Sequence, residues 1–191
     1  MWCSLGVIDM ASKKILSTRN ICFIGVFTAM IIVVSQLPPI PLAGGVPITL
    51  QTFIIPLSGA VLGAKLGALA ALTYVLLGVV GLPVFAGFAG GLQIIAGPTG
   101  GFILSFPLMA FVAGLGAYNN RSVWMALALA AGSVINLSWG MLQFAFVTGS
   151  SLQTAFFVAV FPFILIEMGK MLGVFIIAPS MRKILVKNDF L

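Results

Sequence analysis

From Phe156 to Pro179 the chain is one apolar run interrupted by two charges, Glu167 and Lys170. A membrane helix needs roughly 20 consecutive apolar residues to cross about 30 Å of hydrocarbon. Comparable runs recur at Ile21–Leu37, Phe102–Ala117 and Val123–Phe146. In hydrocarbon every backbone polar group must be paired, which helices and closed barrels achieve, and runs of this length fit helices, since a spanning strand needs only about 9–11 residues. Composition agrees, with 61% hydrophobic and 6% charged residues in a chain of 191. Soluble domains run near 45–50% apolar, roughly what a water-exposed fold of ordinary size can bury. The expected fold class is therefore all-α, a polytopic membrane protein forming a single integral domain over residues 1–191.

Phe53–Val80 fits neither one crossing nor an obvious pair. As a single helix it would be about 42 Å long at 1.5 Å per residue. Broken at Gly63-Ala64-Lys65, it becomes two short helices. Parity chooses the second reading. Lys13, Lys14 and Arg19 near the start, and Arg182, Lys183 and Lys187 near the end, mark both termini as cytoplasmic by the positive-inside rule. An even number of crossings is then required, and the split gives six. Residues 1–20 become a cytoplasmic extension and 21–187 a six-helix bundle, with Lys65 and Arg121 also inside. The outer connections Pro38–Thr52, Gly81–Thr99 and Thr148–Thr154 carry no charge. The first two are rich in Gly and Pro yet strongly apolar, and Leu82, Val84, Phe85, Phe88, Leu92, Ile94 and Ile95 all favour burial. Two readings are open: caps folded over the outer mouth of the bundle, or interfacial loops resting on headgroups. Irregular backbone at membrane depth is tolerated only against protein or a cavity, which favours caps.

Charged side chains inside a span cost at least about 2.5–3.5 kcal/mol on insertion scales, and they mark functional sites by default. Glu167 and Lys170 are three apart and share a helix face. Lys170 lies about 18 Å before Arg182 at 1.5 Å per residue. That distance takes the pair past the midplane, toward the caps. The pair reads either as an ion lock between helices or as part of an occluded, outward-side ligand pocket with apolar walls. Asn136, with Trp139 and Gln143 nearby in the fifth span, Tyr74 in the third, Thr49 and Gln51 in the first cap and Gln93 in the second could join it. Each is equally open to a structural role, since interhelical hydrogen bonds are common in membranes. For Gln143 and Gln93, glue or loop structure is favoured. Gly25 and Ala29 form a small-xxx-small face on the first helix, suited to close packing within the chain or against a partner.

The absences restrict function further. There is no histidine, so a Ser–His–Asp triad or histidine proton relay is excluded. No G-x-x-x-x-G-K-[ST] loop occurs, so the chain has no such means to hydrolyse ATP. Cys3 and Cys22 have no metal-ligand or redox spacing, and no metal is expected. The net charge of +6 sits at helix ends as a topology signal, not as a nucleic-acid surface. No inverted repeat of the kind that builds self-sufficient carriers is evident. The residues describe a small non-enzymatic binder of a largely apolar solute, without an engine of its own.

Four segments sharpen this reading. Val46-Pro47-Ile48-Thr49-Leu50-Gln51-Thr52, Gly81-Leu82-Pro83-Val84-Phe85-Ala86-Gly87, Gly97-Pro98-Thr99-Gly100-Gly101-Phe102 and Glu167-Met168-Gly169-Lys170 resemble motifs of the BioY family. These are the biotin-specific S components of energy-coupling factor (ECF) transporters. The resemblance runs from about Ile21 to Lys187. Glu167 stands where the family usually has aspartate, and Gly25 with Ala29 where it usually has an Ala-x-x-x-Ala face for its membrane partner. The resemblance implies high-affinity capture of biotin in a bacterial cell membrane. It also implies docking through Gly25 and Ala29 on a membrane coupling protein driven by two ATPase subunits, with no cofactor. The candidate ligand residues are Lys170, Glu167, Asn136, Tyr74, Thr49, Gln51, Phe85, Gly87 and Trp139. The chemistry is compatible: a lysine amine suits a carboxylate or ureido carbonyl, and a carboxylate or Asn suits ureido N–H groups. Phe85, Tyr74 or Trp139 suits the thioether ring. A self-sufficient vitamin carrier and a structural subunit of a membrane complex are the alternatives.

Overall fold

The structure is a computed structural model that describes residues 17–42, 45–117 and 122–187. Lys13, Lys14, Arg121 and most of the expected N-terminal extension lie outside these ranges. The described residues form helices α1 (Thr18–Ser35), α2 (Gln51–Leu62), α3 (Ala64–Val79), α4 (Leu92–Ala96), α5 (Gly100–Leu104), α6 (Phe106–Gly116), α7 (Ser122–Thr148), α8 (Leu152–Ala159) and α9 (Phe161–Lys187). No strand occurs among them; there are only isolated antiparallel bridges between Ile40 and Ile48 and between Phe85 and Ala89. Helices α1, α7 and α9 are long and apolar enough to cross a membrane, whereas α2, α3 and α6 are shorter apolar helices.

The segment of ambiguous length folds back on itself at Gly63. This residue has φ 88° and ψ 169°, a conformation essentially reserved for glycine. The two arms run antiparallel, because Gln51 of α2 and Tyr74 of α3, nearly equidistant from Gly63, are hydrogen-bonded at 2.6 Å. Their backbones nearly touch: a Cβ on Gly67 would lie 2.4 Å from the Gly59 Cα. α6 closes on the same corner, since a Cβ on Gly59 would meet the Ala110 carbonyl and one on Gly114 would meet Ala64. Without a hydrophobic force between helices in lipid, close packing of small residues must hold such a bundle. The Gly59-Gly63-Gly67 ladder is therefore consumed within the chain.

Side-chain ties orient the other helices. Thr28 donates to the Ala70 carbonyl at 3.1 Å, joining α1 to α3. Arg182 donates to the Val61 carbonyl at 3.1 Å, placing the end of α9 beside the hairpin tip. At the opposite end Lys170 reaches the Thr49 carbonyl. The legs α1, α2, α3, α5–α6, α7 and α9 thus alternate between a hairpin-tip end and a cap end, with α4 and α8 at the cap end. Phe27, Ile31, Ile55, Val61, Tyr74, Phe106, Met109 and Val174 fill the centre. Large apolar side chains such as Val33, Leu76, Phe146 and Leu165 cover the outside, as lipid contact requires.

Two expected single spans are broken. Phe102–Ala117 divides at Ser105, and the run from Phe156 to Pro179 divides at Val160. In each case a proline, Pro107 or Pro162, follows two residues later. It supplies no N–H to the preceding turn and clashes with it, so the helix restarts at the proline's own first turn. Burial of the second cap is also narrower than its composition suggests. Val84 and Phe85 are buried and Ile94 and Ile95 half-buried, but Leu82, Phe88 and Leu92 are exposed. Gln51 and Thr52, expected in the first cap, open α2 instead.

The Gly59–Gly67 contact leaves no room for a side chain. Gly67→Ala is expected to lower the thermal midpoint in detergent, by an overpacking cost of about 1–3 kcal/mol. A Cβ at Gly25 meets nothing within 4 Å, so Gly25→Ala should melt as the parent does.

Candidate ligand cavity

Lys170 and Glu167 sit on the inner face of α9 with side chains only 9% and 6% exposed. They form an ion pair at 2.8 Å. The start of α2 completes the arrangement. The Lys170 ammonium donates to the Thr49 carbonyl at 2.8 Å and to the Thr52 hydroxyl at 2.8 Å. That hydroxyl in turn donates to Glu167 Oε1 at 2.5 Å. All three ammonium hydrogens are used, which a desolvated cation requires. A second chain of bonds adjoins it: Thr49 Oγ1 donates to Gln51 Oε1 at 2.9 Å, and Gln51 Nε2 to the Tyr74 hydroxyl at 2.6 Å.

These groups border a cavity of about 260 Å³, close to the lower end of the 300–1,000 Å³ typical of small-molecule sites. Gly45, Val46, Pro47 and Thr49 close it from the first cap, and Phe85, Ala86, Ala89, Ile94 and Thr99 from the second. Phe102, Phe106, Leu137 and Phe163 supply apolar walls. The polar side chains around it are Thr49, Gln51, Thr52, Thr99, Asn136, Glu167 and Lys170. Asn136 Nδ2 donates to the Phe102 carbonyl at 2.9 Å and to Ser105 Oγ at 2.7 Å, at the break between α5 and α6. Its two amide hydrogens are thereby spent, leaving the Oδ1 acceptor for a ligand. A larger apolar groove of about 720 Å³ runs between α7 and α9 on the outside of the bundle. Leu137 and Glu167 line both spaces.

Of the residues singled out from sequence, the structure brings Lys170, Glu167, Asn136, Thr49, Gln51 and Phe85 to the cavity. Tyr74 is fully buried behind it, holding Gln51 and meeting the Phe85 ring edge-on at 5.6 Å. Gly87 is not on the lining; with φ 72° it turns the loop between Phe85 and Ala89. Trp139 is 52% exposed and faces away from the cavity, beside Ala96 and Leu142. Trp139 follows Asn136 by three residues, but its side chain falls on the lipid side. Gln143 acts as glue, donating to the Ile95 and Gly97 carbonyls of the second cap. Gln93 bonds within its own loop, to Gly90. Gly25 and Ala29 are exposed on α1. Sequence reasoning missed Thr52, the hydroxyl that ties both charges together. Its signal was its place three residues past the Pro47-Ile48-Thr49 segment, at the second position of α2.

The fold and this cavity define a class: a membrane helical bundle that encloses a small polar-apolar chamber around a buried ion pair. Within that class, residues 10–187 match the family model described as "BioY family", and the chain belongs to the BioY family, a family of transporters and not of enzymes. Among its relatives is a protein of Thermotoga maritima named "Biotin transporter BioY". It is 42% identical over 171 residues, covering 89% of this chain and 99% of that one. A "Probable biotin transporter BioY" of Pyrococcus horikoshii is 37% identical over 87% of this chain and 98% of its own. The fold is similar to a crystal structure of the S-component for biotin from an ECF-type ABC transporter. That likeness has a TM-score of 0.81 and 25% identity, over 86% of this chain and 91% of the other.

Removing one partner of a buried ion pair strands the other, at about 3–5 kcal/mol. Glu167→Gln alone is expected to lower the detergent melting midpoint less than Lys170→Met alone, because a neutral amide can still accept from Lys170 while Met leaves Glu167 without a cation. The double variant should recover most of the Lys170→Met loss. Melting curves of the four proteins in one cycle check the order.

Proposed function

We propose that this chain is the biotin-binding S component of an ECF-type importer, with ATP hydrolysis supplied by partner subunits. The observation that carries the reading is the Lys170–Glu167–Thr52 network at the edge of a small apolar chamber beneath two caps. Biotin combines an apolar bicycle and a methylene tail with two hydrogen-bonding ends, and the chamber offers matching groups. Glu167 and the Asn136 Oδ1 accept from ureido N–H groups. Lys170 donates to an oxygen, either the ureido carbonyl or the carboxylate, by giving up one of its three bonds within the network. Phe85, Phe102 and Phe163 pack on the rings. Thr49 and Gln51 close the polar rim, while Tyr74, Gly87 and the exposed Trp139 serve the fold around it. The names of the relatives and the S-component likeness support biotin as the solute.

The same reading has the chain cross the bilayer six times, through α1, α2, α3, α5–α6, α7 and α9, with both termini cytoplasmic in a bacterial cell membrane. Its support is the distribution of charge. Arg19, Lys65, Arg182, Lys183 and Lys187 all sit toward the hairpin-tip end, away from the caps, as the positive-inside rule requires of a cytoplasmic face. The caps then face the exterior and admit the vitamin from there. The exposed Gly25–Ala29 face of α1, unused in the chain's own packing, is the docking surface for the membrane coupling protein, whose two ATPase subunits drive release inward.

Lys170→Ala is expected to weaken equilibrium biotin binding to the purified protein at least tenfold. Binding equal to the parent's would end its assigned role. Asn136→Ala should weaken binding less, through loss of a single acceptor. Liposomes holding this protein alone are expected to bind biotin without accumulating it, and to accumulate it once the coupling protein and ATPase subunits are added with ATP. Uptake by the lone protein would favour the self-sufficient carrier.

A further inference from the structure

We propose that Gln36, the residue that closes α1, is a positioning residue that clamps the second cap over the cavity and sets how fast the bound ligand leaves. The proposal rests on the cavity being the biotin site. The side chain of Gln36 reaches across to a loop some 50 residues away in sequence and uses all of its amide there. Nε2 donates to the Pro83 carbonyl at 3.3 Å and to the Val84 carbonyl at 3.0 Å. Oε1 accepts from the Phe88 N–H at 3.1 Å. The grip therefore takes hold of the loop on both sides of Phe85.

Phe85 is the residue this grip places. Its side chain is 1% exposed and lines the cavity. Its ring meets Tyr74 edge-on and lies in a notch at Gly78, where a Cβ would come within 2.1 Å of it. Between Pro83 and Gly90 the loop's other backbone bonds are internal, Val84 N–H to the Leu82 carbonyl at 2.8 Å and Phe85 N–H to the Ala89 carbonyl at 2.9 Å; its ends are held by Leu82 N–H to the Leu77 carbonyl at 3.2 Å and Gly91 N–H to the Gly78 carbonyl at 2.7 Å, and Gln143 holds the cap further on, at Ile95 and Gly97. Its outer side chains Leu82 and Phe88 are exposed. Phe88 also holds a φ of 57°, a left-handed conformation rare for a bulky residue and kept only where neighbours enforce it. That conformation is the one in which its N–H meets Gln36. Loops with few buried contacts open at low cost, and each hydrogen bond lost shifts such an opening by a few-fold to about tenfold. Since the ligand beneath Phe85 leaves when the cap opens, the clamp acts on the release rate.

Labelled biotin is bound to purified parent, Gln36→Ala, Gln36→Glu and Gln36→Lys proteins, and its dissociation is followed after dilution into excess unlabelled biotin. Release from Gln36→Ala is expected to be about tenfold faster than from the parent. Gln36→Glu should behave like Gln36→Ala, because it retains the acceptor for Phe88 but sets a carboxylate against two carbonyls. Gln36→Lys, which keeps donors for those carbonyls, should recover part of the loss. In parallel, amide hydrogen exchange of the ligand-free proteins is expected to quicken over residues 84–91 in Gln36→Ala. Exchange unchanged there overturns the clamp. Exchange quickened with release unchanged, or Gln36→Glu releasing as slowly as the parent, overturns its control of release. A parent protein that retains no biotin would overturn the ligand assignment instead, while the exchange comparison still decides the clamp.

Discussion

One ion pair organises this protein. A carboxylate and an ammonium inside an apolar bundle are tolerable only while each is fully satisfied. Glu167 and Lys170 achieve this by drawing in the start of α2, through the Thr52 hydroxyl and the Thr49 carbonyl. That requirement fixes the register of α9 against α2 and places the end of the first cap beside the charges. The chamber follows from it. Polar groups gathered to satisfy the pair become the polar edge of a space otherwise walled by aromatic and aliphatic side chains. The atoms that satisfy the pair are therefore the atoms that give the chamber its polar edge, and a solute entering it meets ammonium hydrogens that are already engaged.

The hairpin of α2 and α3 makes this possible. Tight antiparallel packing through Gly59, Gly63 and Gly67 brings Gln51 and Tyr74 to the same level, beside the chamber. α6 completes the corner with Ala110 and Gly114. At the other end of the molecule, breaks caused by Pro107 and Pro162 give the bundle an irregular upper half. At Ser105 the break offers the Phe102 carbonyl to Asn136. Helical continuity near the hairpin tip and interruption near the caps thus divide the bundle into a packed half and a ligand-sized half.

Much of this was legible along the chain because membrane insertion is a strict filter. Apolar runs and loops without charge follow from the cost of placing charge in hydrocarbon, and they can be counted without coordinates. The split at Gly63-Ala64-Lys65 was legible from length and parity. The pairing of Glu167 with Lys170 was legible from helical spacing. Trp139 and Gly87 were misplaced for one reason: proximity in sequence or motif does not say which way a side chain points. Trp139 and Asn136 have the same spacing as Lys170 and Glu167, yet Trp139 projects outward: residues three apart are turned about 60° from each other, and on α7 the edge of the inward face falls between them. Leu82, Phe88 and Leu92 were expected inside on hydrophobicity alone, but near a bilayer an exposed apolar side chain carries little penalty, so that signal loses its force.

Sequence alone determined that the chain is a helical membrane protein of the BioY family and that a lone acid and a lone amine must meet in its interior. Both conclusions are local, resting on runs, spacings and motifs that need no knowledge of distant contacts. Only the tertiary structure decided that Thr52 joins the two charges, that Asn136 presents an oxygen and not an amide hydrogen, and that Gln36 holds the second cap. Those facts depend on segments far apart in the chain meeting within about 3 Å, a hydrogen-bond distance. Packing sets such meetings, and no pattern along one segment encodes them.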